Sequence, residues 1–147
     1  MEASGIRIKN DGETTIDSFL PNNNYCYIYN PGDIEANFNL KLKFSGGQLQ
    51  SGKIYLNSQD TGLEFGIITA KGSDAGICIN SKLNLIEGID KLGNKTGNLY
   101  NEYLISGSFF KIPMIGPNEE LGKFYVDLKA GSLSNHMPEL EYDYYYF

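Results

Sequence analysis

The sequence predicts an all-β fold, an antiparallel β-sandwich of immunoglobulin-like or jelly-roll-like kind, and three observations carry that expectation. Apolar and polar residues alternate with period two through most of the chain, which sorts side chains onto the two faces of strands. Turn-forming clusters, "PGD", "SGG", "DTG", "KGSDAG" and "IGPNEE", recur at roughly the eight-to-twelve-residue spacing of sandwich folds. The aromatic residues are 11 Tyr and 8 Phe with no Trp, types that fit a pleated, half-buried surface.

In chain order, the opening "GIRIKNDGETTIDSF" reads as a β-hairpin. Ile6 and Ile8 alternate with Arg7 and Lys9, the residues Asn10, Asp11 and Gly12 tolerate positive φ, and Thr14, Thr15 and Ile16 resume an extended run. Strands are therefore expected at Gly5 to Lys9 and Thr14 to Asp17. A third strand, Tyr25 to Asn30, places Tyr25, Tyr27 and Tyr29 on one face and Cys26 and Ile28 on the other. The clearest alternation is "IEANFNLKLKF". Ile34, Ala36, Phe38, Leu40, Leu42 and Phe44 share one face, and Glu35, Asn37, Asn39, Lys41 and Lys43 share the other, as in an antiparallel strand with one wet side.

Further strands are expected at Lys53 to Asn57, Leu63 to Ala70, Gly76 to Asn80, Leu104 to Phe110, Gly122 to Lys129 and Leu140 to Phe147. Between them, Ser81 to Asn101 loses the alternation, and Gly88 and Gly93 would weaken a helix there, so this stretch reads as an irregular loop. The predicted core includes Ile6, Ile8, Phe38, Leu40, Leu42, Phe124, Val126 and Leu128. With 147 residues, the chain reads as one domain, 1–147, burying roughly 70% of the surface its unfolded form exposes, which requires neither disulfide nor metal.

Composition narrows the function. A net charge of −6 and a pI near 4.7, with basic residues scattered singly apart from Lys41 and Lys43, argue against a nucleic-acid partner. No apolar run is long enough for a membrane span, and "MEASG" lacks the basic and apolar regions of a leader. Cys26 and Cys78 sit among apolar neighbours and read as small buried core residues, whereas a bridge between them would mean secretion.

No motif carries catalytic or cofactor chemistry, and the expectation is a protein that is not an enzyme and holds no cofactor or metal. "GIDKLGNKT", Gly88 to Thr96, falls short of a P-loop because Asn94 separates Gly93 from Lys95 and Gly97 follows where a helix should begin. Asn94 to Thr96 is a glycosylation sequon that otherwise reads as a polar turn. Asp11, Asp60 and Asp74 read as turn formers, since the dense spacing of a calcium loop is missing. The single histidine, His136, lies in a predicted loop, and the carboxylates Glu119, Glu120, Glu139 and Glu141 define no pair by sequence alone.

The aromatic clusters point to contact. Tyr25, Tyr27 and Tyr29 form a ladder opposite a core face, and the chain closes on "LEYDYYYF", where Tyr144, Tyr145, Tyr146 and Phe147 make both faces of the last strand aromatic. One core cannot hide both faces. Tyr supplies large, rigid contact area at low entropy cost, so these residues are the expected interface.

The residues Gly5, Ile6, Ile8, Asn10, Gly12, Ile16, Asp17 and Ser18, followed by the aromatic run "NYCYIYN", resemble the start of small tailed-bacteriophage virion proteins. In those, a short pattern of this type opens an all-β domain near the tail tip or on the particle surface. The resemblance covers about the first 30 residues. It implies a non-enzymatic structural subunit, tail-associated or decorating the capsid, assembled in the host cytoplasm. Its partners would be other virion proteins and copies of itself, with a host-surface ligand also open. The competing expectation is a secreted bacterial adhesin or fimbrial subunit with a Cys26–Cys78 disulfide, and a carbohydrate-binding module that stacks sugars on the Tyr ladder forms a third class.

Overall fold

The computed structural model describes residues 6–8, 15–18, 25–44, 51–66, 69–106, 109–114, 122–130, 139–142 and 144–146. They form a β-sandwich. A front sheet of five strands runs in the order β10-β6-β5-β11-β3, and a back sheet of six runs β2-β12-β4-β7-β8-β9. The front strands are β3 (Tyr25–Ile28), β5 (Ser51–Leu56), β6 (Gln59–Phe65), β10 (Leu104–Ser106) and β11 (Gly122–Ala130). The back strands are β2 (Thr15–Ser18), β4 (Phe38–Lys43), β7 (Gly76–Asn80), β8 (Leu85–Ile89), β9 (Lys95–Leu99) and β12 (Glu139–Tyr142). A separate ribbon pairs β1 (Ile6–Ile8) with β13 (Tyr144–Tyr146). Every pairing is antiparallel. No helix among the described residues is long and apolar enough to cross a membrane.

The core lies between the inner faces. The front sheet contributes Ile28, Ile54, Leu63, Phe65, Phe124 and Val126, and the back sheet contributes Phe38, Leu40, Leu42, Ile77, Ile79, Ile86, Leu140 and Tyr142. Phe38 of β4 meets Phe124 of β11 edge-on, with ring centroids 5.6 Å apart, and Phe110 packs beside both. Phe38, Leu40, Leu42, Phe124 and Val126 are buried as the alternation predicts, and Leu128 packs on the cluster partly buried. Ile6 and Ile8 lie in β1, but their side chains are outside the description.

Several expectations are corrected. The opening segment is not a hairpin. β1 pairs with β13 and β2 pairs with β12, so each finds its partner at the far end of the chain. Nothing in a local pattern distinguishes that long-range ladder from a two-stranded turn, because either register satisfies the same alternation. Ser81 to Asn101 is not an irregular loop, since it holds β8 and β9 and completes a β7-β8-β9 meander. Gly88 and Gly97 blurred its pattern. The turn before β6 is Asn57-Ser58, both with positive φ, rather than "DTG", and Asp60 to Gly62 fall inside β6.

The long strand predicted from Ile34 begins only at Phe38. Ile34 is 38% exposed, whereas Ala36 is buried in an isolated bridge to Ile112. The preceding turn is closed by buried Asn30, whose side-chain oxygen accepts the Gly32 N–H at 3.0 Å and whose amide donates to the Ile34 carbonyl at 3.0 Å. The last predicted strand is broken into β12, in the back sheet, and β13, on the ribbon.

Candidate functional site

Among the described residues, two places gather polar and aromatic side chains: the outer face of the front sheet and a buried polar cluster at the β9 end of the back sheet. The first follows from strand register. In β11, Phe124 and Val126 point into the core, so period two sends Lys123, Tyr125 and Asp127 outward. In β5 the inward Ile54 leaves Lys53 and Tyr55 outward, and in β3 the inward Ile28 leaves Tyr25 and Tyr27 outward. Tyr125 faces Tyr55 on one side and Tyr25 on the other, while Lys123 faces Tyr27. Four tyrosines from three strands thereby form one surface.

Their geometry is specific. Tyr55 and Tyr125 have ring centroids 6.0 Å apart and planes tilted by 56°. Tyr25 and Tyr27 meet edge to face at 5.7 Å, and the Lys123 ammonium stands 4.2 Å above the Tyr25 ring, a cation–π contact. Beside them opens a cleft of about 460 Å³, lined by Tyr55, Ser58, Lys123, Tyr125 and Asp127. Lys53, opposite Asp127, bridges Asp60 at 3.2 Å and Glu64 at 3.8 Å. The hydrogen bond and charge of Asp60, then the charge of Glu64, raise the Lys53 ammonium above its ordinary range.

Of the residues the sequence marks as an interface, Tyr25 and Tyr27 belong to this surface. Tyr27 is 51% exposed. Tyr29 lies just past β3 and is also exposed, but its backbone is bound across the sandwich: its N–H donates to the Tyr142 hydroxyl at 3.0 Å, and that hydroxyl donates to the Tyr29 carbonyl at 3.1 Å. Tyr144, Tyr145 and Tyr146 form β13, with Tyr146, Tyr145 and Tyr144 opposite Ile6, Arg7 and Ile8. Phe147, Asp11, His136, Glu119 and Glu120 fall outside the described residues. Tyr55, Tyr125, Lys123, Asp127 and Ser58 are missing from the sequence-based interface. The signal for Tyr55 and Tyr125 was present in "KIYL" and "KFYVDL", whose outward positions follow once Ile54, Phe124 and Val126 are assigned inward.

The second cluster gives Asp74 a role beyond the turn that the sequence assigns to it. Its backbone N–H does close a turn to the Lys71 carbonyl, yet its carboxylate is buried. One oxygen accepts the Tyr100 hydroxyl at 2.5 Å and the Asn98 amide at 3.0 Å. The carboxylate lies directly over Gly88, where any Cβ would collide with it. Gly88 is thus the residue that lets β8 pass beneath Asp74. Burial, then the hydrogen bond to Asp74, push the Tyr100 hydroxyl up to about 12. The Lys71 backbone N–H donates to that hydroxyl at 2.9 Å, and the Lys71 ammonium bridges Glu102 at 2.8 Å. This cluster fastens the β6–β7 connection to the end of β9, which is a structural task.

The remaining sequence candidates resolve into structure. Gly88 to Thr96 spans the β8–β9 hairpin rather than a strand-to-helix phosphate loop, and Asp90 closes its turn by accepting the N–H groups of Leu92 at 2.9 Å and Asn94 at 3.0 Å. Cys78 is a free, buried cysteine on β7, paired in register with Lys41 and Glu87, and burial raises its thiol. Glu139 and Glu141 alternate with the buried Leu140 and Tyr142 along β12. Among the described residues, no group of His, Cys, Asp and Glu side chains is placed to hold a metal ion. No family model, curated protein or solved structure matches the chain.

Proposed function

We propose that this chain is a non-enzymatic contact module whose working surface is the tyrosine-bearing outer face of the front sheet. The observation that carries the reading is the placement of Tyr25, Tyr27, Tyr55 and Tyr125 on one face of three adjacent strands. A sandwich folds with its inner faces alone, so bulky aromatics on an outer face add nothing to the core. They are the residue type that dominates contact energetics when a ligand covers them. Of the strands beneath, β5 and β11 are held on both sides by neighbours and β3 closes the sheet's edge against β11, so the Tyr55–Tyr125 part of the surface is preorganised and loses little entropy on binding.

The setting we propose is the virion of a tailed bacteriophage, at the tail tip or on the particle surface, which the resemblance of the opening residues supports. There the module would dock among other virion proteins and copies of itself, with the Tyr144–Tyr146 strand and its ribbon as the docking end. An adhesin or fimbrial subunit is the competing setting. The buried, free Cys78 favours the first, because the adhesin expectation uses a Cys26–Cys78 bridge.

Immunogold electron microscopy with an antibody to this chain, on a lysate and on intact cells of the source culture, tests the setting. Gold on phage heads or tails is the expected result. Gold on bacterial surface filaments overturns it in favour of the adhesin.

A further inference from the structure

We propose that the cleft between Tyr55 and Tyr125 binds a neutral saccharide; this rests on the reading of the front-sheet outer face as the working surface. The lining combines the two features such a ligand needs. Tyr55 and Tyr125, opposite one another on β5 and β11 with ring planes tilted by 56°, give an aromatic floor and an adjoining aromatic wall, and the C–H face of a sugar ring packs on the floor. Around that floor stand a donor, Lys123, an acceptor, Asp127, and the Ser58 hydroxyl, which does both. Lys123 and Asp127 flank Tyr125 two residues to either side on the same face of β11, about 13 Å apart along the strand, so the two ends of a ligand of disaccharide length meet opposite hydrogen-bonding partners.

Charge selects against ionic ligands. One ammonium and one carboxylate line the cleft, and Lys53, Asp60 and Glu64 continue the mixed pattern beside it. Neither a polyanion nor a polycation gains net attraction there. A volume of about 460 Å³ falls in the range of small-molecule sites. A peptide added as an extra strand does not fit, because it needs an open sheet edge, and β5 and β11 are interior strands already paired on both sides.

Ser58 adds an independent observation. It sits in the tight turn between β5 and β6 with φ of 67°, where glycine is the easier residue. A side chain stands at a position whose backbone disfavours it, and that side chain lines the cleft.

The test passes the full-length chain over arrayed neutral oligosaccharides built of glucose, galactose and mannose, with sialylated and sulfated glycans as controls. The best neutral glycan is then titrated by calorimetry. Because the chain has no Trp, tyrosine fluorescence gives a second readout. Retention of a neutral glycan, at least tenfold weaker binding for Tyr55→Ala and Tyr125→Ala at unchanged melting temperature, and retained binding for Tyr125→Phe support the proposal. Ser58→Gly is the variant that cannot fail by misfolding: it should keep or raise the melting temperature while weakening binding.

No retention of any neutral glycan, retention of charged glycans only, or binding indifferent to Tyr55→Ala and Tyr125→Ala overturns the saccharide. The wider reading fails separately. If no sugar binds but Tyr27→Ala and Tyr125→Ala still impair attachment of the particles, the contact surface stands and only its ligand was wrong.

Discussion

Tyr100 shows how much a single side chain can carry in this fold. It is fully buried, its ring lies under the Lys71 ammonium at 5.0 Å, and its hydroxyl both donates to Asp74 and accepts from the Lys71 backbone. Its proton is held more tightly folded than unfolded, with the hydroxyl raised from 10.0 to about 12. The sign follows from linkage. Above about 10 the unfolded chain has lost a proton that the folded chain keeps, so stability is whole below that pH and declines as pH rises towards about 12. Tyr100→Phe should flatten this alkaline decline in urea-unfolding midpoints. At neutral pH it should cost about 1–3 kcal/mol, because the buried Asp74 carboxylate loses a donor. An alkaline slope identical in the two proteins would show that Tyr100 does not carry the effect.

Legibility at this scale was uneven. The alternation in "NFNLKLKF" identified Phe38, Leu40 and Leu42 as core, because a strand with one wet face writes its burial into its sequence. Asp74 does form a turn, as "GSDAG" signals, but its second role was not legible, because the partner of its buried carboxylate, Tyr100, lies far along the chain. Tyr55 and Tyr125 were passed over for the opposite reason. A lone outward tyrosine is ordinary, and only pairing of β5 with β11 makes it half of a cleft.

Among the elements, β7 shows what the middle of a sheet demands. All of "GICIN" is buried: Ile77 and Ile79 face the core, and Gly76, Cys78 and Asn80 are covered on the other side. Lys41 and Glu87, on the strands either side, oppose Cys78, and the stems of such residues cover apolar surface while their charged ends reach water. At Gly76 a methyl group would run into the Leu42 carbonyl oxygen of β4 and come within 2.9 Å of Lys43 Cα. Gly76→Ala should therefore force β4 and β7 apart and cost about 1–3 kcal/mol or more, measured by chemical denaturation. A loss below half of the lower figure, about 0.5 kcal/mol, would mean the ladder yields more easily than close packing allows.

The β7–β8–β9 meander was illegible in part because Gly88 and Gly97 interrupt the alternation. Gly88 is there for the Asp74 carboxylate and not for the strand. A residue chosen for a tertiary contact thus erased the local signal of the element that holds it. The same competition explains β12 and β13, one continuous alternating run that the fold divides between the back sheet and the ribbon.

On the scale of the whole molecule, the early described strands pair with the late ones. β2 pairs with β12 and β1 with β13, so the first and last described strands are neighbours. Deleting Tyr144 to Phe147 removes the partner of β1 but leaves both main sheets with every ladder intact. The shortened chain should keep a single cooperative unfolding transition, with a modest fall in melting temperature, and lose more in assembly with its partners than in folding. Calorimetry of the monomer beside sedimentation of the assembly distinguishes the two. A shortened chain that fails to fold would assign the strand to the fold and not to an interface.

The sequence by itself determined the β class, the inward faces of β4 and β11, and the outward ladder of Tyr25 and Tyr27, because period two is a local property that burial imposes residue by residue. Tertiary structure decided the rest: which strands pair, which tyrosines meet across them, and where a buried carboxylate finds its donors. Those depend on contacts between residues far apart in the chain, and loop-closure entropy makes such contacts indifferent to sequence separation beyond a slow logarithm, so no local pattern records them.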